Sequence, residues 1–183
     1  MSKKYTLFHG APEDVRSERE MRCYALLDSL GIDYLRVDHD PAATMEACAR
    51  ADALLGGTIC KNLFLCNRQQ TQFYLLMLPG GKTFHTRELS SQLQVSRLSF
   101  APGEAMVKYL DIYPGSLSVL GLMNDREGKV RLLADEALNA SGRISCHPCV
   151  NTSSLSLSKQ DMFEVFLPAV RHDVTFVTLS DPE

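Results

Sequence analysis

Leu63-Phe64-Leu65-Cys66 and Phe73-Tyr74-Leu75-Leu76-Met77-Leu78 are two short apolar runs, joined by the polar connector Asn67 to Gln72. Their apolar residues come in succession rather than in alternation, which suits strands covered on both faces. Pro79-Gly80-Gly81 closes the pair. Strands of this kind need a layer on either side, so the expected fold is mixed α/β: a single mixed sheet wrapped by helices.

Upstream, residues 1–13 read as a polar lead-in. Cys23, Leu26, Leu27 and Leu30 then follow the i, i+3, i+4, i+7 spacing of an amphipathic helix, and Gly31 stands where it would stop. Leu35 and Val37 alternate with polar neighbours, as on a half-buried strand, until His39-Asp40-Pro41 breaks it. Thr44 is placed to cap a helix running to about Leu55, ended by Gly56-Gly57. Downstream, Thr86 to Leu93 and Gly103 to Leu110 read as short helices. Tyr113-Pro114-Gly115 is a turn, Leu117 to Met123 a strand, and Asn124 to Gly128 a hairpin connection into a strand carrying Val130, Leu132 and Leu133. Asn139 to Gly142 is a loop, and Ile144 to Thr152 a strand. Ser158 with Asp161 resembles a capping box for a helix to about Leu167, where Pro168 discourages continuation. Val174, Phe176, Val177 and Leu179 form a last strand.

The 183 residues suit one domain, 1–183, and carry no repeat, low-complexity tract or linker. With 45% hydrophobic and 22% charged residues the composition is that of a globular protein. No apolar run approaches the ~20 residues of a membrane span. Met1-Ser2-Lys3-Lys4-Tyr5 lacks the apolar core of a signal peptide, so the expected location is the cytoplasm. The six cysteines are scattered through apolar segments, which favours reduced core residues over disulfides. A net charge of −3 gives no global basic field. That argues against a generic nucleic-acid coat but leaves room for a local patch gripping one end of a nucleic acid.

Three stretches hold residues suited to chemistry. Lys61 shares strand parity with Leu63 and Leu65; its stem either snorkels to water or presents its ammonium to a phosphate in a cleft. Gly115-Ser116-Leu117-Ser118 is either an ordinary turn or a nest of backbone N–H groups that receives an oxyanion or a water. His147, pinned by Pro148, is an acid, base or donor, or a buried histidine satisfied by a carbonyl. Asn151 follows four residues later, on the same face if no bulge intervenes. Cys146 and Cys149 form a Cys-x-x-Cys with no second pair, which makes a zinc site weak. A strand-like run follows them rather than a helix, which also weakens a redox pair. Asp135 and Glu136 read as a solvated helix start.

Together, Cys60-Lys61-Asn62-Leu63-Phe64-Leu65, Tyr113 to Ser118 leading to Gly121-Leu122, and His147-Pro148 with Asn151-Thr152 resemble the trans-editing domains related to the prolyl-tRNA synthetase insertion domain, the YbaK-like superfamily of aminoacyl-tRNA deacylases. The resemblance runs from about Ser17 to Leu179 and is nearest the branch that clears alanine mischarged onto tRNA(Pro). It implies a compact mixed α/β fold around a mixed sheet curved towards a barrel, and hydrolysis of the aminoacyl ester by a positioned water. In that family the position of Lys61 lies near the terminal adenosine and its phosphate, the loop from Gly115 holds the carbonyl and the water, and the position of His147 lines the same pocket. The site set implied is Gly115, Ser116, Leu117, Ser118 and His147 for chemistry, with Lys61, Asn62, Leu63, Val119 and Asn151 for substrate. Val119 stands where the family usually has proline. The resemblance implies no cofactor and no metal. The implied partners are the acceptor end of mischarged tRNA(Pro) and prolyl-tRNA synthetase, for a monomer or weak dimer. A cysteinyl-tRNA(Pro) deacylase, a non-catalytic tRNA or synthetase binder, and a thiol redox protein are the alternatives.

Overall fold

The computed structural model describes residues 5–41 and 45–180, without the side chains of 45–48. In chain order the strands are β1 (Thr6–His9), β2 (Tyr34–Asp38), β3 (Thr58–Cys66), β4 (Phe73–Pro79), β5 (Ser99–Phe100), β6 (Val130–Asp135), β7 (Arg143–Cys146), β8 (Ser153–Ser158) and β9 (Val174–Val177). The α-helices are α1 (Glu18–Ser29), α2 (Met45–Leu55), α3 (Thr86–Gln92), α4 (Gly103–Leu110) and a last turn α5 (Leu167–Ala169). The strands make one curved mixed sheet in the order β1-β2-β8-β7-β3-β4-β6-β9, with β5 also on β3. No helix among the described residues is long and apolar enough to cross a membrane.

Strand β4 explains the apolar runs. Leu75 and Met77 enter the larger core, with Phe64, Leu132 and Ala134. Their neighbours Tyr74, Leu76 and Leu78 enter a second core with Leu65, Leu133 and Leu89 of α3. A strand between two cores has no polar face to alternate with. The connector from β3 is organised by Asn67, whose Oδ1 accepts from the N–H of Thr71 at 2.9 Å and of Gln72 at 3.1 Å.

Strand β3 positions the site. Along one edge it pairs with β4 over its length, Cys60↔Pro79 to Cys66↔Phe73. Along the other it pairs with β7 only at Thr58 and Ile59, and with β5 only at Leu65 and Cys66. Between those contacts the edge is open, and Cys60 to Leu63 face a gap in the sheet.

Several expectations change. The lead-in contains β1, an exposed edge strand antiparallel to β2. Leu117 to Met123 is not a strand: Val119–Asn124 is a 3-10 helix. Ser118 Oγ accepts from Leu120 N–H at 3.2 Å, and Gly121 packs so tightly on the end of α4 that a Cβ would lie 2.5 Å from Ile112 Cδ1. Local capping thus overrides the apolar pattern. Asn124 to Gly128 therefore joins that helix to β6 and is no hairpin; Asp125 holds it by accepting from the N–H of Lys129 and Val130. Ile144 to Thr152 is not one strand: β7 ends at Cys146, and a turn with Cys149 at φ +59° leads into β8.

Two helix starts follow their side chains. Asp135 caps a 3-10 turn through Ala137 N–H at 2.8 Å, but it is fully buried against Lys82 rather than solvated. Ser158 and Asp161 exchange bonds of 2.7 and 2.9 Å, opening a π-helical turn over Asp161–Phe166 that runs through Pro168 into α5. Thr44, the expected cap of α2, lies outside the described residues.

Candidate functional site

A cavity of about 350 Å³ occupies the gap beside β3 and is lined from both faces of the sheet. Strand parity sorts its walls. Ile59 pairs with Ser145, Ser145 with Ser156, and Ser154 with Val37, so these side chains and Lys61 share the face that α2 covers through Ala51 and Leu55. That wall is polar: Asp52, Lys61, Ser145 and Ser154, with His147 beside them. The opposite wall is mostly apolar, with Cys60, Phe64, Met106, Leu117 and Cys146. Gly57 lets the polar wall close, since a Cβ there would lie 2.5 Å from Ser145 Oγ and 2.9 Å from Ser156 Oγ.

Of the residues singled out in the sequence, Lys61, Asn62, Leu63, Gly115, Leu117 and His147 line this one cavity. Lys61 Nζ donates to the carbonyl of Lys82 at 2.8 Å. Asn62 Oδ1 is buried without a hydrogen-bond partner among the described residues. Gly115 has φ +91°, a conformation that suits only glycine. The Ser116 N–H closes the turn onto Tyr113 O at 3.1 Å, so it is not available as an oxyanion donor. No protein acceptor among the described residues takes the N–H of Gly115 or Leu117. Ser118 is buried and occupied as a cap, and Val119 sits in the larger core rather than on the cavity wall. Asn151 lies in the turn, its Nδ2 3.9 Å from where a Gly115 Cβ would be. It thus meets the Gly115 loop from a turn and not by strand alternation.

His147 Nδ1 lies 2.8 Å from the carbonyl of Ser153. A ring donating there carries its lone pair on Nε2 when neutral. Burial pulls its pKa down; the Ser153 carbonyl opposes that and the nearby His39 adds to it. His39 was read in the sequence only as a strand breaker. It is fully buried, 6.1 Å from His147 between ring centroids, with Nε2 2.9 Å from Ser154 Oγ. Its position just before Asp40-Pro41, at a strand end, was the available signal.

Under the start of β8 lies a buried charge network. Arg16 donates to both Asp38 oxygens at 2.7 Å, to Glu20 at 3.0 Å and to Ser153 Oγ at 3.0 Å. Ser153 Oγ in turn donates to Asp38 at 2.8 Å. The network fixes the residue whose carbonyl orients His147.

Asp52 was also missed. It is 8% exposed on the buried stripe of α2, one residue from Ala51 and three from Leu55. Burial raises its pKa, with Ser145 and His39 opposing. The two thiols that line the cavity give no nucleophile: burial lifts Cys60 to about 12 and raises Cys146 well above its usual value. Cys146 faces the cavity while Cys149 packs on Cys23, Sγ to Sγ 3.4 Å, so the Cys-x-x-Cys does not act as a pair. Among the described residues no three His, Cys, Asp or Glu side chains converge as metal ligands.

Comparison with known proteins shows the family and the fold. The model of the aminoacyl-tRNA editing domain matches residues 39–165. The chain is 30% identical over 141 residues to the prolyl-tRNA editing protein ProX of Acetoanaerobium sticklandii, covering 77% of this chain and 86% of that protein. It is 30% identical over 167 residues to the prolyl-tRNA synthetase associated domain-containing protein 1 of Mus musculus, covering 89% and 95%. A crystal structure provisionally named a trans-editing enzyme for prolyl-tRNA synthetase superposes with a TM-score of 0.66 at 14% identity, over 91% of this chain and all of that one, which speaks to the fold alone. The matched span begins at His39 and takes in α2, the open edge of β3, the Gly115 loop and the His147 turn. The chain belongs to the aminoacyl-tRNA editing domain family.

Proposed function

We propose that the protein is a trans-acting deacylase that removes alanine from mischarged tRNA(Pro). Membership of the editing family carries the coarser statement, that this is an enzyme of aminoacyl-tRNA deacylation. The observation that carries the finer one is the single cavity shared by Lys61, Gly115 and His147. An aminoacyl ester is already activated, so a held water and donors for the developing oxyanion suffice. The N–H groups of Gly115 and Leu117 are the donors, and the neutral ring of His147 orients the water through Nε2. Water adds to the carbonyl carbon, the ester C–O bond breaks, and the proton ends on the ribose oxygen of the released tRNA. Lys61 holds the terminal phosphate after exchanging its bond to the Lys82 carbonyl.

Editing has a physical need behind it. A site sized for proline rejects a smaller amino acid only weakly, since a missing methylene is worth about 1–3 kcal/mol. A second, smaller cavity then completes the sieve. The partners are the tRNA acceptor end and, through it, prolyl-tRNA synthetase, in the cytoplasm where tRNA is charged. Hydrolysis of alanyl-tRNA(Pro) tests the proposal. Wild type is expected to exceed the spontaneous rate by orders of magnitude, and Lys61→Ala to lose most of kcat/KM. A wild-type rate equal to the spontaneous one refutes it.

A further inference from the structure

The polar wall of the cavity contains one carboxylate, with no cation beside it among the described residues. Asp52 is 8% exposed, lines the cavity, and forms an ion pair with none of the described residues. Buried carboxylates are normally paired, because an isolated charge is expensive to desolvate. Three other buried acids have a cation, Asp38 with Arg16 and Arg36, Glu20 with Arg16, and Asp135 with Lys82, while Asp125 accepts two backbone N–H bonds and lies beside His172. Beside Asp52 is Ser145, whose buried Oγ also makes no hydrogen bond of ordinary geometry, although it is near enough to favour the ionised carboxyl. Among the described residues, a carboxylate with no cation and a hydroxyl with no hydrogen bond of ordinary geometry therefore stand together on one wall of the substrate cavity. Gly57, with no side chain, gives them the room.

The substrate class supplies the missing cation. An aminoacyl ester differs from other esters of the ribose hydroxyl by its α-amino group, which is largely protonated near or below neutral pH. Its three N–H donors match acceptors that the fold leaves unused. We propose that Asp52, with Ser145 Oγ, is the receptor for the α-ammonium of the aminoacyl ester, and that it makes the enzyme selective for α-amino acyl groups. This rests on the deacylase reading and deepens it. Lys61 takes the negative end of the substrate and Asp52 the positive end, so the two charges fix its direction in the cavity. Leaving Asp52 without a cation among the described residues makes the site costly when empty and complementary when filled.

The test compares alanyl-tRNA(Pro) with lactyl-tRNA(Pro), in which a hydroxyl replaces the ammonium at nearly the same size. Each rate is divided by its own spontaneous hydrolysis, because the ammonium also activates the ester. Wild type is expected to favour the alanyl ester by about 10- to 100-fold in kcat/KM, the range set by one charge-assisted contact. Asp52→Asn is expected to lose about that factor on the alanyl ester, to change little on the lactyl ester, and to keep its thermal transition. Equal normalised rates for the two esters in wild type overturn the proposal, and this comparison needs no variant to fold. An Asp52→Asn enzyme that slows on both esters alike also overturns it. If wild type cleaves neither ester, the deacylase reading itself has failed and the proposal falls with it; if it cleaves both equally, only the proposal has.

Discussion

Arg16→Met probes the support beneath the site. Arg16 is nearly buried, and its guanidinium makes two 2.7 Å bonds to Asp38 as well as bonds to Glu20 and Ser153. Methionine keeps much of the side-chain volume and removes every donor. Two carboxylates, 4% and 8% exposed, then lose their main cation. Removing one partner of a buried pair costs about 3–5 kcal/mol. Arg36, with Nε 3.3 Å from Asp38, remains, so the lower end, about 3 kcal/mol, is expected. The pair to Asp14 is mostly exposed and is left out of the sum. Against a total of about 5–15 kcal/mol this is a large loss, and it corresponds to a fall in Tm of roughly 6–12 °C. The assay is urea unfolding at pH 7 and again at pH 3. Burial pushes the Asp38 carboxyl up, but Arg16, Ser153 and Arg36 more than offset that and hold it below the usual value. Its stabilisation is therefore complete above the ordinary carboxylate range of about 4 and is lost as pH falls through the depressed folded value. The gap between wild type and Arg16→Met should shrink at pH 3. A variant within about 1 kcal/mol of wild type at pH 7, or a gap that does not narrow in acid, refutes the reasoning.

Burial holds the His147 pKa below its usual value. If the neutral ring orients the water, kcat/KM should be flat across neutral pH and fall only below about 6.5, as the ring protonates; an acid limb with its midpoint above 7 contradicts this. Gly121→Ala places a Cβ 2.5 Å from Ile112 Cδ1 and 3.2 Å from Leu110 O. The isoleucine end can move but the carbonyl cannot, so a loss of about 1–3 kcal/mol is expected in thermal unfolding, and an unchanged Tm would show that the 3-10 turn shifts freely.

What was legible follows from range. The unbroken apolar runs gave β3 and β4 because a strand between two cores must be apolar throughout. The helices α1, α3 and α4 followed from period and punctuation. The misreadings came where a side chain close in sequence settled the backbone. Ser118 turned an apolar stretch into a 3-10 helix, and the left-handed Cys149 folded one expected strand into a turn. Lys61, Gly115 and His147 were found as types in motifs. Asp52 and Ser145 were not, because an acid on a helix and a serine on a strand are ordinary until tertiary structure removes their partners.

The open edge of β3 explains why the site lies where it does. Phe64 O accepts from Ala101 N–H at 2.9 Å on that side of the strand. Antiparallel pairing sends alternate residues' backbone groups to opposite edges, so Asn62 directs its own N–H and C=O the same way. There neither β7 nor β5 reaches it. A peptide group left open in the middle of a sheet must be satisfied by water or by a ligand. The same interruption exposes side chains of both parities, polar from the α2 face and apolar from the other. An aminoacyl ester, with charged groups and an apolar side chain, calls for both. Closing the gap by extending β7 or β5 would complete the ladder and stabilise the sheet, and in doing so would remove the cavity.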